Sequence, residues 1–347
     1  MGEHKPDLFS LAPDELESFV ISAGYPPYRS GQIFSWIHGK QTANPNLMTN
    51  LPADLRGKLG ENFQTSGVNI KKRLASSIDG TVKYLYELSG GEMVEGVLMH
   101  HKHGRSLCIS SQVGCRMACG FCASALGGLS RNLTAGEMLW QVYSAAADVS
   151  PVKISSVVLM GVGEPLDNFE SVCRFLELLS HPEGFGLSLR RVSLSTCGLV
   201  DGIYKLAEKK YPLTLSVSLH APNDELRSRL MPVNRLYDIA SLMQACRDYF
   251  AATGRRVSFE YALIDGQNDK PEHAAQLADL LDGMSCHINL IPLNKVEGKG
   301  LCRSSRRNTQ LFRDELAKLG RLSVTIRREL GSDLEAACGQ LRRRESV

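Results

Sequence analysis

The sequence predicts an α/β protein built on a parallel sheet, and three observations predict it. After Arg105, apolar runs of strand length alternate with amphipathic stretches of helical length. Six strand–helix pairs follow one another, which requires helical crossovers between parallel strands. The chain has 347 residues, 43% of them hydrophobic, enough for a sizeable core and more than one domain. Periodicity alone leaves two closures open: a rolled barrel, or an open doubly wound sheet.

The first ~65 residues read as a small helical unit. In "PDELESFVISAG", Leu16, Phe19, Val20 and Ala23 recur at helical spacing, and Gly24 with Pro26 ends the run. "SGQIFSWIHG" and "PADLRGKLGENF" repeat the pattern across short loops. From Val68 to Leu98, "VKYLYEL", a "SGG" turn and "MVEGVLM" predict a hairpin-rich β connector. The predicted parallel strands are "LCIS" from Leu107, "SSVVLM" from Ser155, "RVSLST" from Arg191, "LTLSVSL" from Leu213, "VSFEYAL" from Val257 and "HINLI" from His287. The first crossover helix opens with a capping box, Thr134 to Glu137, and presents Met138, Leu139 and Val142 on one side.

Charge and composition narrow the class. Net charge is +3, but the positive residues are clumped, with "KKR" at Lys71–Arg73, "RR" at Arg190, Arg255, Arg306 and Arg327, and "RRR" at Arg342–Arg344. Singly, such doublets solvate a surface; together they suit an anionic polymer. No segment resembles a signal peptide or reaches the roughly 18 apolar residues of a membrane span, so a cytoplasmic protein with no membrane partner is expected. Ten cysteines then point to metal or thiol chemistry rather than a disulfide scaffold. Cys173, Cys197, Cys246, Cys286 and Cys302 are scattered in mostly apolar contexts and read as buried filler.

"CRMACGFC", Cys115 to Cys122, is different. It follows the first strand and precedes the first crossover helix, at the carboxyl end of the sheet where α/β active sites gather. A structural zinc site wants four closed ligands, and no second cysteine pair exists. Cys115, Cys119 and Cys122 can instead hold three irons of a four-iron four-sulfur (4Fe-4S) cluster and leave the fourth iron open to a ligand. The CxxxCxxC spacing, with Phe121 before the last cysteine, resembles the radical S-adenosylmethionine (SAM) superfamily, in which the open iron chelates the methionine end of SAM.

Further segments narrow the resemblance: "LCISSQVGCRMACGFC", "RNLTAGE", "MGVGEPLDN", "GFGLSLRRVSLSTCG", "SVSLHAPND", "LMPVN", "INLIPLN" and "DLEAACGQL". In order, over almost the whole chain, they resemble the bacterial dual-specificity RNA methyltransferases, which methylate C2 of an adenosine in 23S rRNA and, in some members, in tRNA. The N-terminal "MTNLPADLR" is similar to theirs as well. The resemblance implies a partial (β/α)6 radical SAM barrel with an N-terminal small helical domain and a short β linker. The implied divisions are 1–64 helical and RNA-binding-like, 65–100 connector, 101–333 core and 334–347 C-terminal segment.

It also implies roles. C2 of adenine is electron-poor and no nucleophile toward a methyl sulfonium, so the family takes a radical route with two SAM per turnover. Cys338 matches the cysteine that carries the methyl group, Cys108 the one that resolves the protein–RNA adduct by forming a disulfide with it, and Glu95 the proton acceptor. Gly163 and Glu164 of "GVGEP", Ser195, Ser218, Leu219, His220 and Asn294 match the residues that contact SAM. The implied partners are 23S rRNA, tRNA as a further substrate, and an electron donor of flavodoxin type; the implied state is a monomer. The chain departs from the family at Val162, where methionine is usual between the glycines.

Taken singly, Cys108 on a strand reads as core packing, Glu95 as a surface carboxylate on a hairpin, and His220 as a structural histidine. The motifs falling in register outweigh these readings. A sister family that methylates C8 of the same adenosine shares the cluster and both reactive cysteines, but "RRVSLSTCG" with "SLHAPND" looks more like the C2 enzymes. A non-catalytic, metal-stabilised RNA-binding module would need none of Glu95, Cys108 and Cys338. A radical SAM enzyme acting on a peptide or small molecule would leave the helical unit and the basic doublets without a purpose.

Overall fold

A computed structural model of the chain describes residues 5–42, 44–65, 67–102, 104–294, 296, 300–320, 322–334 and 340–341. Three helices open it: α1 (Pro13–Ser22), α2 (Tyr28–Phe34) and α3 (Ala53–Asn62). Pro13 at the first helical position and Glu15, whose carboxylate accepts from Ala12 N–H at 2.7 Å, set the start of α1. Leu16, Val20, Ile33, Leu55 and Leu59 bury the inward faces. The connector then supplies β1 (Asn69–Ala75), β2 (Val82–Glu87) and β3 (Met93–His101), an antiparallel meander.

The core continues with β4 (Gly104–Ile109), the small hairpin β5 (Gln112–Gly114) and β6 (Leu129–Asn132), α4 (Ala135–Asp148), β7 (Ile154–Leu159), α5 (Phe169–Ser180), β8 (Val192–Thr196), α6 (Val200–Lys209), β9 (Thr214–Ser218), α7 (Asp224–Leu230), α8 (Ile239–Thr253), β10 (Val257–Leu263), α9 (Pro271–Leu280), β11 (Cys286–Pro292), α10 (Arg306–Gly320) and β12 (Ser323–Ile326). One sheet runs β1-β2-β3-β4-β7-β8-β9-β10-β11-β12. From β4 onward every neighbour is parallel. Residues from β3, from each parallel strand through β11, and from the turn after β12 line one shared cavity, so the sheet curls into an open barrel. The six expected strands all form. A further parallel strand, β12, follows α10: "SVTI" is short, half-exposed and on the sheet edge, so its alternation is too brief to read in advance.

Helices cover the outside of the barrel. The predicted box at α4 forms: Glu137 N–H donates to Thr134 Oγ1 at 3.1 Å, and Thr134 N–H donates to Glu137 Oε2 at 2.9 Å. This corner also docks the helical unit. Thr134 Oγ1 donates to Asp7 Oδ2 at 2.8 Å, and Gly136 N–H donates to Ser10 Oγ at 2.9 Å. His38 packs below, its Nδ1 3.0 Å from Tyr143 Oη on α4. Among the described residues, no helix is long and apolar enough to cross a membrane.

Candidate active site

The cysteine loop lies between β5 and β6 rather than directly after the first parallel strand. The hairpin fixes both of its ends: Cys115 N–H donates to Gly128 O at 3.0 Å. Gly114 has φ +81°, and a Cβ there would collide with Gly128 O, so this entry requires glycine. The middle of the loop is tied to α7, where Gly120 N–H donates to Leu230 O at 2.8 Å. Phe121 stands edge-on to His220, with ring centroids 4.7 Å apart.

Cys115, Cys119 and Cys122 line one cavity of about 950 Å³, its open mouth included. Gly163, Glu164, Ser195, Ser218, His220 and Asn294 line the same cavity, so the ends of four strands, β7, β8, β9 and β11, converge on the three thiols. Burial pushes the Cys115 thiol up to about 12 and the Cys119 thiol higher still. Thiols so placed become thiolates when a bound cation takes the place of their protons. Among the described residues no three His, Cys, Asp or Glu side chains gather closely enough to hold a single ion. Three thiols on one cavity suit a cluster in which each thiolate reaches a different iron.

Each wall of the cavity has a local cause. At Gly163, φ is +111° and a Cβ would stand 2.6 Å from Gln112 Cβ, so only glycine lets the turn after β7 press against β5. Glu164 N–H donates to Gln112 Oε1 at 2.8 Å, and its carboxylate accepts from Leu166 N–H at 3.1 Å and Cys197 N–H at 2.7 Å. Burial raises the Glu164 pKa against these bonds. A cationic ammonium in the cavity would pull it back down.

His220 adopts φ +56°, a left-handed conformation rarely kept without cause in a non-glycine residue. Its Nδ1 accepts from Ala262 N–H at 2.9 Å, which leaves the ring proton on Nε2 as a donor. Desolvation, and then the Arg227 charge, push its pKa down to about 3, so the ring is neutral. Leu219 is fully buried and is not among the cavity-lining residues; its backbone N–H donates to Glu260 O at 3.0 Å.

Cys108 lies on β4 opposite Val97 of β3, in a second cavity beside the first. Met160, Glu260, Ile291, Asn294 and Arg327 border both cavities. Cys108 packs in one apolar cluster with Val97, Val162, Leu334 and Leu341. Cys338 lies outside the described residues, but Leu334 and Leu341, which flank it in sequence, belong to this cluster. Three further bonds anchor that end of the chain: Ser124 Oγ to Leu341 O at 2.7 Å, Lys83 Nζ to Leu334 O at 3.4 Å and Ser77 N–H to Asp333 Oδ2 at 3.1 Å.

Glu95 is no surface carboxylate. It is 1% exposed on β3 and pairs at 3.1 Å with Lys83 of β2, itself 3% exposed. It lines neither cavity, although strand alternation puts it on the same face of β3 as Val97, which does. Its carbonyl accepts from Ser110 Oγ at 2.7 Å, beyond the carboxyl end of β4.

Several residues of the site are not predicted by sequence reasoning. Cys197, read as filler, borders the cluster cavity, while Cys302, read the same way, is exposed. Glu260 and Arg327 stand 3.8 Å apart on the wall shared by the two cavities. A glutamate at an inward position of "VSFEYAL" was the available signal.

Comparisons with known proteins agree with this geometry. Residues 109–278 match the radical SAM superfamily, and residues 6–64 match the ribosomal RNA large subunit methyltransferase N-terminal domain. A probable dual-specificity RNA methyltransferase RlmN from Thermoanaerobacter sp. (strain X514) is 48% identical over 338 residues, 97% of this chain and 98% of that protein. The protein of the same description from Bacillus cytotoxicus is 46% identical over 343 residues, 98% of this chain and 94% of that one. The crystal structure of a radical SAM methyltransferase from Sphaerobacter thermophilus superposes with a TM-score of 0.91 at 42% identity, covering 97% of this chain and 99% of that one. With relatives this similar along nearly its whole length, the chain belongs to the RlmN family of radical SAM RNA methyltransferases, enzymes that work with a 4Fe-4S cluster and SAM.

Proposed function

We propose that this chain methylates C2 of an adenosine in 23S rRNA, and an adenosine in tRNA, through an S-methylated Cys338. The observation that carries the reading is the pair of adjoining cavities: three thiols and the SAM-type contacts in one, Cys108 in the other, with the residues flanking Cys338 packed against Cys108.

Cys115, Cys119 and Cys122 hold the cluster. Gly163, Glu164, Ser195, Ser218, His220 and Asn294 hold SAM, with Leu219 fixing the strand end between Ser218 and His220. Glu164 takes the ammonium of the methionine end, and His220 Nε2–H offers a fixed donor. When bound, the cluster supplies the electron that opens SAM and thereby the radical that joins the Cys338 methyl carbon to C2. Glu95 accepts the proton that leaves C2, and the adduct gives up its unpaired electron, which the cluster, when bound, would take back. Cys108 then attacks the Cys338 sulfur: a sulfur–sulfur bond forms, the sulfur–carbon bond breaks, and the released carbon keeps the electron pair and takes a proton to become the methyl group. Recognition of RNA rests on its shape and on an adenosine splayed from its stack. The reading includes a flavodoxin-type electron donor and a monomeric enzyme in the cytoplasm, with 1–64 as the RNA-binding unit.

Mass spectrometry of RNA from cells lacking the gene tests it. C2-methyladenosine should disappear from the rRNA and tRNA fractions. Loss of C8-methyladenosine instead would transfer the protein to the sister chemistry, and no change in either mark would refute the reading.

A further inference from the structure

Arg227, on α7, is the largest side chain in the described structure with no exposed surface. Its guanidinium makes four hydrogen bonds: Nε to Leu219 O at 3.2 Å, Nη1 to Asn234 Oδ1 at 2.9 Å, and Nη2 to Cys197 O at 2.6 Å and Ser218 O at 3.2 Å. Every acceptor is neutral. The nearby carboxylates are occupied by other groups. Asp224 Oδ1 accepts from Asn234 Nδ2 at 2.9 Å and from Ile239 N–H at 2.8 Å, and the Glu164 oxygens are held by Leu166 and Cys197 N–H. A guanidinium stays protonated even when buried, so a full positive charge is stored here without a bonded counter-ion.

Its position shows what can balance it. The Cys197 carbonyl that it grips belongs to a residue whose side chain lines the cluster cavity and packs with Cys119. The helix that carries it ends on Leu230, whose carbonyl accepts the Gly120 N–H between Cys119 and Phe121. Arg227 thus stands behind the cysteine loop, linked to it on two sides. A cubane held by three thiolates is a monoanion when oxidised and a dianion when reduced. In an environment closed to water, a fixed cation favours the more negative form, and salt screens it little.

We propose that Arg227 is a positioning residue that raises the reduction potential of the cluster bound at Cys115, Cys119 and Cys122, while its fork fixes the strand ends that carry Cys197, Ser218 and Leu219. The proposal rests on the cluster assignment above. In the step concerned, one electron enters the cluster from an external reductant, and no bond is made or broken.

The test is an EPR-monitored redox titration, with dithionite and mediators, of anaerobically reconstituted full-length protein, each sample assayed for iron. R227Q at full iron loading should have a more negative midpoint than wild type. R227K, which keeps the charge and loses the fork, should stay closer to wild type in midpoint while binding SAM more weakly. D224N leaves Arg227 in place and removes a neighbouring negative charge, so its midpoint should move positive; it decides the matter if R227Q does not fold. A midpoint unmoved in loaded R227Q, or in D224N where R227Q fails, overturns the proposal. So does an equal shift in R227Q and R227K, which would mean that only the fork matters. Wild-type protein that takes up no iron would overturn the cluster assignment and the proposal with it.

Discussion

Replacing Lys83 by methionine should cost this protein far more than the loss of an ordinary ion pair. Lys83 and Glu95 are 3% and 1% exposed, and their charges lie 3.1 Å apart. At an effective dielectric constant of about 20 the attraction is on the order of 5 kcal/mol. K83M removes the cation 3.1 Å from a carboxylate held out of water, a change that costs about 3–5 kcal/mol, whereas an exposed pair is worth about 0–1 kcal/mol. K83M also forfeits the 3.4 Å bond from Nζ to Leu334 O, worth about 1 kcal/mol. The double variant K83M/E95M loses that bond too but keeps no carboxylate there, so it should regain most of the deficit. The difference between the two variants isolates the buried carboxylate. Urea denaturation of the apo-protein, followed by circular dichroism, measures both. A K83M variant within about 1 kcal/mol of wild type would refute the reasoning, because it would put the pair in the solvent-screened class.

Cys108→Ala should accumulate a covalent protein–RNA conjugate through Cys338 under turnover conditions, visible as an RNase-sensitive shift on a denaturing gel; no conjugate would count against the resolving role. Gly163→Ala should weaken SAM binding at least about tenfold by calorimetry and destabilise the fold by about 1–3 kcal/mol, since the new Cβ meets Gln112 at 2.6 Å in a left-handed backbone. Desolvation holds both His38 and His220 neutral, with pKa values pushed down to about 3, His181 adding to the first and Arg227 to the second. Their contribution to stability is complete above pH ~6.5 and is lost as pH falls toward 3, because there the unfolded chain binds more protons. Each histidine adds a slope of up to about 1.4 kcal/mol per pH unit, and H38Q should remove one such increment from a stability–pH curve measured between pH 5 and 6.5. An unchanged slope would mean that His38 titrates normally.

The residues most legible in the sequence are those whose chemistry is local. The CxxxCxxC loop, the Thr134–Glu137 capping box and the strand of "VSFEYAL" each announce themselves within a few positions; the box and the strand form as expected, and the three cysteines of the loop line one cavity. What escaped depends on long-range placement. The β5–β6 hairpin that carries the cysteine loop pairs only a few residues on each side, too few for periodicity to register. Glu95 alternates with apolar neighbours as a surface carboxylate would, and only its pairing with Lys83 across β2 and β3 explains its burial. Neither Cys197 in "LSTCGL" nor Cys302 in "GLCRSS" carries a motif of its own, yet one borders the cluster cavity and the other faces solvent. Arg227 resembles any helix arginine in "NDELRSRL" until the strand-end carbonyls of Cys197, Ser218 and Leu219 close around it. The closure of the sheet came from family resemblance, since alternation alone fits an open sheet equally well.

EPR spectroscopy of reconstituted, reduced protein before and after addition of SAM tests the central claim most directly. Three cysteine ligands leave one iron open, so the account predicts full cluster loading and a changed spectrum when SAM binds. A fully loaded cluster whose spectrum does not respond to saturating SAM would contradict it.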